Sequence, residues 1–356
     1  MRIGIYDPYL RGLEGGEKYM LTIASCLSKS HNVSVFWDEK LILDRASEKF
    51  AIDLKKVGLD KNFFSADFNT FQRIKELRKY DRIIFLSDGS IPFIFSKKLI
   101  LHFQFPVEWI SPSLKTKFKL SRVKKIICNS YFTKFYIDNK FNVNSVVLYP
   151  PVEIKYDNKI KKENIILHMG RFGRTIEGAN YKKQDVMIKT FCQMIDDGLK
   201  DWRFVLVVGV KEEDEVRFQS LKKMATGYPI EFIKNPTNSK LWENYSKAKI
   251  YWHASGFGED LKKHPEYAEH FGISTVEAMG AGCVPIVINE GGQKEIVEDN
   301  KSGFLWNSLE QLKKQTSELI KDGDLWERLS KGSKKRAEIF SGNRFCREIN
   351  EIIDEK

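Results

Sequence analysis

The feature that most narrows what this chain can fold into is an alternation, run through twice, of short β-rich apolar runs and helical segments. In the first half the runs are RIGIY (2–6), NVSVF (32–36), RIIFLS (82–87), LILHF (99–103), KIICN (125–129) and SVVLY (145–149). Residues 15–29 carry Tyr19, Leu21, Ile23, Ala24 and Leu27 at helical spacing, and 130–140 reads as a further helix. Short strands separated by helices pair in parallel, because a parallel neighbour needs a crossover long enough to hold a helix. Pro150-Pro151 and the charged stretch DNKIKKEN (157–164) then interrupt the pattern and read as a linker. It restarts with NIILHMG (164–170), RFVLVVG (203–209), IEFI (230–233), KIYWH (249–253), VPIVI (284–288) and GFLW (303–306). Helices are expected near 183–197, 211–226, 238–247, 273–282 and 292–298, and from 308 to the end. Residues 38–80 receive no assignment. The expected class is α/β, two doubly wound Rossmann-like domains over 1–155 and 160–340. In such sheets ligands bind beyond the strand carboxyl ends, so two of them facing each other would line a cleft.

Length and charge agree with two cores. The chain has 356 residues, enough for two domains of ordinary size. Residues 1–150 hold 25 Lys and Arg against 15 Asp and Glu, whereas the remainder holds 34 against 33. Almost all of the formal +11 therefore lies in the first half, where an acidic partner would dock. Five cysteines (Cys26, Cys128, Cys192, Cys283, Cys346) stand more than 60 positions apart with no CxxC pair. They read as free thiols in a reducing compartment and not as a zinc site. Asp7 and Glu14 interrupt the N-terminus where a signal peptide needs an apolar centre, and the most apolar stretch, 83–105, is broken by charges and Pro92. A cytoplasmic protein, peripheral on the inner membrane face at most, is the expectation.

The densest chemical signal is EHFGISTVEAMGAGCVPIVINEGGQKEIVEDNKSGFLW (269–306). A helix starting near Gly272 would point free N–H groups at an anion or hydroxyl, with Glu269 on the loop before it and Glu277 over a turn along it. Carboxylates so placed suit a polyhydroxylated ligand, since they accept from vicinal hydroxyls. The bland alternative is a pair of solvated glutamates.

The string EHFGISTVEAMGAGCVPIV resembles the Glu-x7-Glu motif of retaining family 4 glycosyltransferases with the GT-B fold. RIGIYDPYLRGLEGGEKYM is similar to that family's first strand and glycine loop, and CNSYFTKFYI and VLYPPVE to the end of its N-domain. HMGRF with KKQDVMIKTF resembles the donor phosphate loop, and GGQKEIV with GFLW follows in family order. Only 38–80 lies outside the resemblance.

What the resemblance implies is a GT-B protein whose acceptor-side N-domain faces a nucleotide-sugar domain, with helix 341–356 crossing back to the former. Glu277 would bind ribose hydroxyls, Glu269 the hydroxyls of the transferred sugar, and the backbone of Phe271-Gly272-Ile273 the sugar and diphosphate. Arg171 and Lys183 match the basic pair that neutralises the diphosphate, needed because the leaving group gathers charge as the glycosidic bond breaks. The twelve positions between them exceed the family's compact form, so Lys182 and Arg174 stand as rivals, with Lys182→Ala expected to be mild. Gly15 and Gly16 would allow backbone approach to a phosphate, the alternative being a plain turn. His102 matches a cleft histidine near the donor sugar, the alternative being a core histidine. His253, His264, Glu259 and Asp260 sit in a loop that reads as a cleft edge and not as a metal set.

The expected function is transfer of a hexose, mannose first, from a nucleotide sugar to a hydroxyl of a glycan or lipid-linked acceptor, with retention and without a cofactor. GDP-mannose leads as donor over UDP-sugars. The alternatives are a GT-B-like epimerase or hydrolase, and a basic nucleic-acid binder. The latter lacks aromatic interleaving of a known module, so nucleic acid is not an expected partner. The segment between Trp109 and Ile137 has no acidic residue but carries Lys115, Lys117, Lys119, Arg122, Lys124, Lys125 and Lys134. It is a candidate surface (115–134) for anionic membrane. No Asp-x-Asp follows a strand, and no metal is assigned. EDTA is therefore expected to leave turnover unchanged, and a strict divalent-cation requirement would refute that assignment.

Overall fold

The first sheet is built from β1 (Arg2–Tyr6), β2 (Asn32–Phe36), β3 (Val57–Asp60), β4 (Arg82–Leu86), β5 (Leu99–Phe103), β6 (Val123–Cys128) and β7 (Val146–Val147). The computed structural model describes residues 1–94, 99–157, 159–172 and 180–355. Strand order is β3-β2-β1-β4-β5-β6-β7, and every pairing is parallel. β5 is buried at all five positions, as expected of an inner strand covered on both faces. The crossovers carry α1 (Gly15–Leu27), α2 (Ile42–Phe50), α3 (Thr70–Leu77), α4 (Leu114–Leu120) and α5 (Tyr131–Phe141). The stretch 38–80, left blank by pattern alone, thus supplies α2, β3 and α3 in the same β-α rhythm.

The second sheet contains β8 (Glu163–Arg171), β9 (Arg203–Gly209), β10 (Ile230–Lys234), β11 (Ala248–His253), β12 (Val284–Ile288) and β13 (Phe304–Trp306). Its order, β10-β9-β8-β11-β12-β13, is again wholly parallel. Helices α6 (Gln184–Asp196), α7 (Glu215–Met224), α8 (Asn238–Lys247), α9 (Ile273–Gly280) and α10 (Gln293–Ile296) connect the strands. The C-terminal region is helical from 309 on, in α11 (Leu309–Lys321), α12 (Gly323–Ala337) and α13 (Gly342–Asp354), the last within the expected 341–356. Ser308 and Asp322 cap the first two by accepting from backbone N–H groups three residues on. Among the described residues, no helix is long and apolar enough to cross a membrane.

The chain divides into two compact units, 1–151 with 342–356, and 152–341. Membership of α13 in the first unit has a plain cause. Phe345, Ile349 and Ile353 recur at four-residue spacing and are fully buried in the core that holds Ile3, Ile23 and Leu27. Phe345 packs edge-on against Tyr19 of α1, with ring centroids 5.1 Å apart.

The cysteine expectation needs correction. Cys26 of α1 and Cys346 of α13 form a disulfide, their Cα atoms 5.1 Å apart, while Cys128, Cys192 and Cys283 are free. Spacing could not reveal a pair separated by 320 positions; only the docking of α13 on α1 brings the two together. The case for a reducing compartment rested on five free thiols, so this pair removes that ground. Thiol titration of the unfolded, unreduced protein is expected to count three groups, rising to five after reduction. Five before reduction would refute the pairing.

Candidate functional site

In the second sheet the chain runs from β8 outward to β9 and β10, then returns to the other side of β8 as β11, β12 and β13. The crevice beyond the carboxyl ends of β8 and β11 is where that reversal leaves room for a ligand. β8 ends at Arg171 and β11 at His253. α6 follows β8 and starts after Lys183, whose backbone is left-handed at φ 56°. α9 follows β11 and starts after Gly272, at φ 119°. Neither boundary residue caps its helix with a side chain. At α9 the Thr275 N–H donates to the Gly272 carbonyl, while those of Ile273 and Ser274 have no bond among the described residues and can meet an anion. Glycine is required at 272, since a Cβ there would also run into Gln293 and Ile296.

A double-glycine turn fixes the loop before α9. Gly292 N donates to the Glu269 carbonyl at 2.7 Å. A Cβ on Gly291 or Gly292 would strike the backbone of Glu269, His270 or Phe271. Phe271 is buried beneath, edge-on to Phe340 at 5.4 Å. The Glu269 carboxylate is thereby held at a set height beside the α9 N-terminus.

Its side chain is four-fifths buried, and two donors meet it: Lys182 Nζ at 2.7 Å and His253 Nε2 at 3.1 Å. Burial alone would raise this carboxyl, but the Lys182 charge and the His253 bond outweigh it and hold it well below the usual carboxylate range. Glu269 is therefore ionised and acts as an acceptor only. Burial lowers His253 below the usual imidazole range, against the pull of Glu269, which favours the neutral ring. Lys183 pairs instead with Glu259. Glu277, on the second turn of α9, accepts from the fully buried Tyr245 hydroxyl at 2.8 Å. The result is two carboxylates, two uncapped helix starts and the cations Arg171, Lys182 and Lys183 on one sheet edge.

The structure thus brings together Arg171, Lys183, Glu269, Phe271, Gly272, Ile273 and Glu277 in one unit. It changes the weight of Lys182: the residue expected to be mild is the one on Glu269. Arg174, the other rival, lies outside the described residues. Sequence reasoning also missed His253, Tyr245 and Glu259 as partners of this site. The signal available for His253 was its place as last residue of an expected strand in the same half. The set weighed as metal ligands disperses, with His253 on Glu269, Glu259 on Lys183 and His264 on Glu266.

In the first unit, the α1 N-terminus at Gly15 is closed by a capping box of Glu14 and Glu17, unlike α6 and α9. A Cβ on Gly16 would meet the Gln104 carboxamide, which donates to the Gly16 carbonyl at 3.1 Å. His102 is fully buried, its ring stacked on Tyr19 with centroids 4.3 Å apart and Nδ1 3.3 Å from the Ile127 carbonyl oxygen. Burial pushes its pKa down to about 3. Here it is a neutral core histidine whose Nε2 has no partner.

The family described as "Glycosyl transferases group 1" matches residues 152–336, the unit that contains the Glu269 site. A curated relative from Xenopus laevis, "GDP-Man:Man(3)GlcNAc(2)-PP-Dol alpha-1,2-mannosyltransferase", is 28% identical over 52% of this chain and 39% of its own length. The chain thus spans less than half of that relative. A Campylobacter jejuni relative is 22% identical over 96% of this chain and 95% of its own. It is a "GalNAc-alpha-(1->4)-GalNAc-alpha-(1->3)-diNAcBac-PP-undecaprenol alpha-1,4-N-acetyl-D-galactosaminyltransferase". Among solved structures, Anabaena Alr3699/HepE in complex with UDP superposes with a TM-score of 0.70 at 17% identity, over 99% of each chain, which speaks to the GT-B fold. With the family match spanning more than half of the sequence, and the fold in agreement, this chain belongs to the glycosyl transferases group 1 family.

Proposed function

We propose that this protein transfers a mannosyl group from GDP-mannose, with retention of configuration, to a hydroxyl of a lipid-linked glycan. One observation carries the reading: at the β8/β11 reversal, uncapped helix starts and cations stand beside a carboxylate held ionised. A nucleoside diphosphate sugar needs this pairing of an anion site with hydroxyl acceptors. Glu277 would take the ribose and Glu269 the sugar. Arg171, Lys183 and the first-turn amides of α6 and α9 would stabilise the charge that develops on the departing diphosphate. In a retaining reaction the donor phosphate helps deprotonate the acceptor on the same face, and the protein supplies orientation and electrostatics. Mannose is favoured by the name of the Xenopus laevis relative and a diphosphate-lipid acceptor by the names of both relatives, while the N-acetylgalactosaminyl group in the Campylobacter jejuni name and UDP in the Anabaena complex keep UDP-sugars as the rival donor.

The acceptor's lipid gives the basic segment a role. Leu114, Phe118 and Trp109 are more than half exposed, beside Lys115 and Lys117. Of the cations counted in the sequence, Lys125 and Lys134 pair with Glu355 and Asp138, and Lys119 donates to the Ile91 carbonyl. Lys115, Lys117 and Lys124 form no ion pair among the described residues. Three cations at about 1 kcal/mol each, with exposed apolar side chains between, make a weak and reversible contact with an anionic bilayer.

Glu269→Ala and Glu277→Ala are expected to retain the fold and lose tens- to hundreds-fold in kcat/KM, for about 2–4 kcal/mol of lost charged hydrogen bonding. Arg171→Ala should lower kcat more than it weakens GDP binding. Near-normal kinetics in both glutamate variants, with GDP-mannose and with UDP-sugars, would sink the site. Separately, co-sedimentation with phosphatidylglycerol vesicles should rise with anionic fraction, fall with salt, and weaken when Lys115, Lys117 and Lys124 become Ser. Absence of binding at low salt would end the membrane reading alone.

A further inference from the structure

Both donors that reach Glu269 land on the same oxygen. Lys182 Nζ and His253 Nε2 contact Oε2, and no described residue donates to Oε1. A carboxylate has acceptor sites on each oxygen, so saturating one leaves the other directed to a ligand. His253 is the last residue of β11 and is 2% exposed, which gives its ring little freedom to turn away. An ionised carboxylate cannot donate, so the imidazole must carry its proton on Nε2. Ser255 Oγ lies 3.3 Å from the same nitrogen, and Nδ1 has no partner. We propose that His253 is a positioning residue which, with Lys182, pins Glu269 Oε2 so that Oε1 alone reads a hydroxyl of the transferred sugar.

This rests on Glu269 facing the sugar, as proposed above, and it adds a requirement. The sugar must present a hydroxyl that donates at that point, because an ionised acceptor leaves nothing for an ether oxygen or a hydrogen in its place. Charged and titratable groups around the pair are Lys182, Arg171, His168, His270 and Tyr251, whose hydroxyl is pushed up by burial. His168, 6.2 Å from His253 between ring centroids, is pushed down to about 3, and His270 to about 4. Both are silent between pH 5 and 8. Loss of the His253 bond removes one of the forces that hold Glu269 down, so its protonation, and the loss of sugar contact, moves toward that window.

The test compares affinity for GDP-mannose with affinity for GDP, which lacks the sugar, by calorimetry on the full chain at pH 5 to 8. The same pair is run as UDP-glucose and UDP should GDP fail to bind. The wild-type ratio is expected to change less over this range than that of His253→Ala. His253→Ala should lower the ratio about tenfold through loss of a charged hydrogen bond, more at pH 5 than at pH 8, with affinity for the nucleotide alone unchanged. His253→Gln, which keeps an N–H donor, should restore most of it. A His253→Ala ratio equal to wild type, alongside a lowered ratio in Glu269→Ala, would overturn the positioning role and leave the site reading intact. Equal weakening of nucleotide and nucleotide sugar would reduce His253 to a structural part and likewise overturn it. An unchanged ratio in Glu269→Ala would instead overturn the site reading beneath.

Discussion

The reversal of strand order at β8 is the constraint on which the site depends. A parallel sheet extended in one direction covers each strand end with the connection to its neighbour. Where the chain starts in the middle and fills both sides, the ends of β8 and β11 lead to connections that go opposite ways. The ends of these two strands and the loops after them carry Arg171, Lys182 and Lys183 on one side, and His253, Glu269 and Gly272 on the other. Residues from positions 171 to 277 meet there because of topology, not because of any local preference.

That meeting has an electrostatic cost which the arrangement must offset. A carboxylate four-fifths removed from water, next to a lysine and a neutral imidazole, is stable only while its partners stay. Removing one member of such a pair typically costs about 3–5 kcal/mol, because the other charge is left buried and unmatched. Rigidity follows from the same contacts. The double-glycine turn bears on the loop backbone, Phe271 packs edge-on against Phe340, and Tyr245 donates to Glu277. Lys183 bound to Glu259 fits the same logic, in that Lys182 and Lys183 each have a carboxylate partner.

The first unit is assembled on different terms. Its equivalent helix start, at Gly15, is filled by its own glutamates, and His102 is absorbed into packing against Tyr19. What distinguishes this unit is α13, whose apolar stripe completes the core and whose Cys346 is bonded to Cys26. The last residues of the chain are therefore part of the first unit's stability.

Much of this was legible in the sequence. Continuous apolar runs of four to seven residues marked nearly all the inner strands, since strands covered on both faces have no polar side to show. The Glu269–Glu277 spacing with Gly272 between marked the α9 start, because only glycine takes that backbone angle beside Gln293. Short elements with mixed polarity, α2, β3 and α3, were not legible, as their burial is decided by neighbours rather than by their own pattern. Nor was the choice between Lys182 and Lys183. Adjacent residues differ by a turn of the backbone, and the left-handed Lys183 sends one side chain to Glu269 and the other to Glu259. The sequence by itself determined the class of fold, the two domains and the pair of glutamates, all of which rest on local periodicity and spacing. Tertiary structure decided the Cys26–Cys346 bond, the burial of His102 and the bond from His253 to Glu269, because each depends on which distant segments the sheet order and helix docking bring within bonding distance.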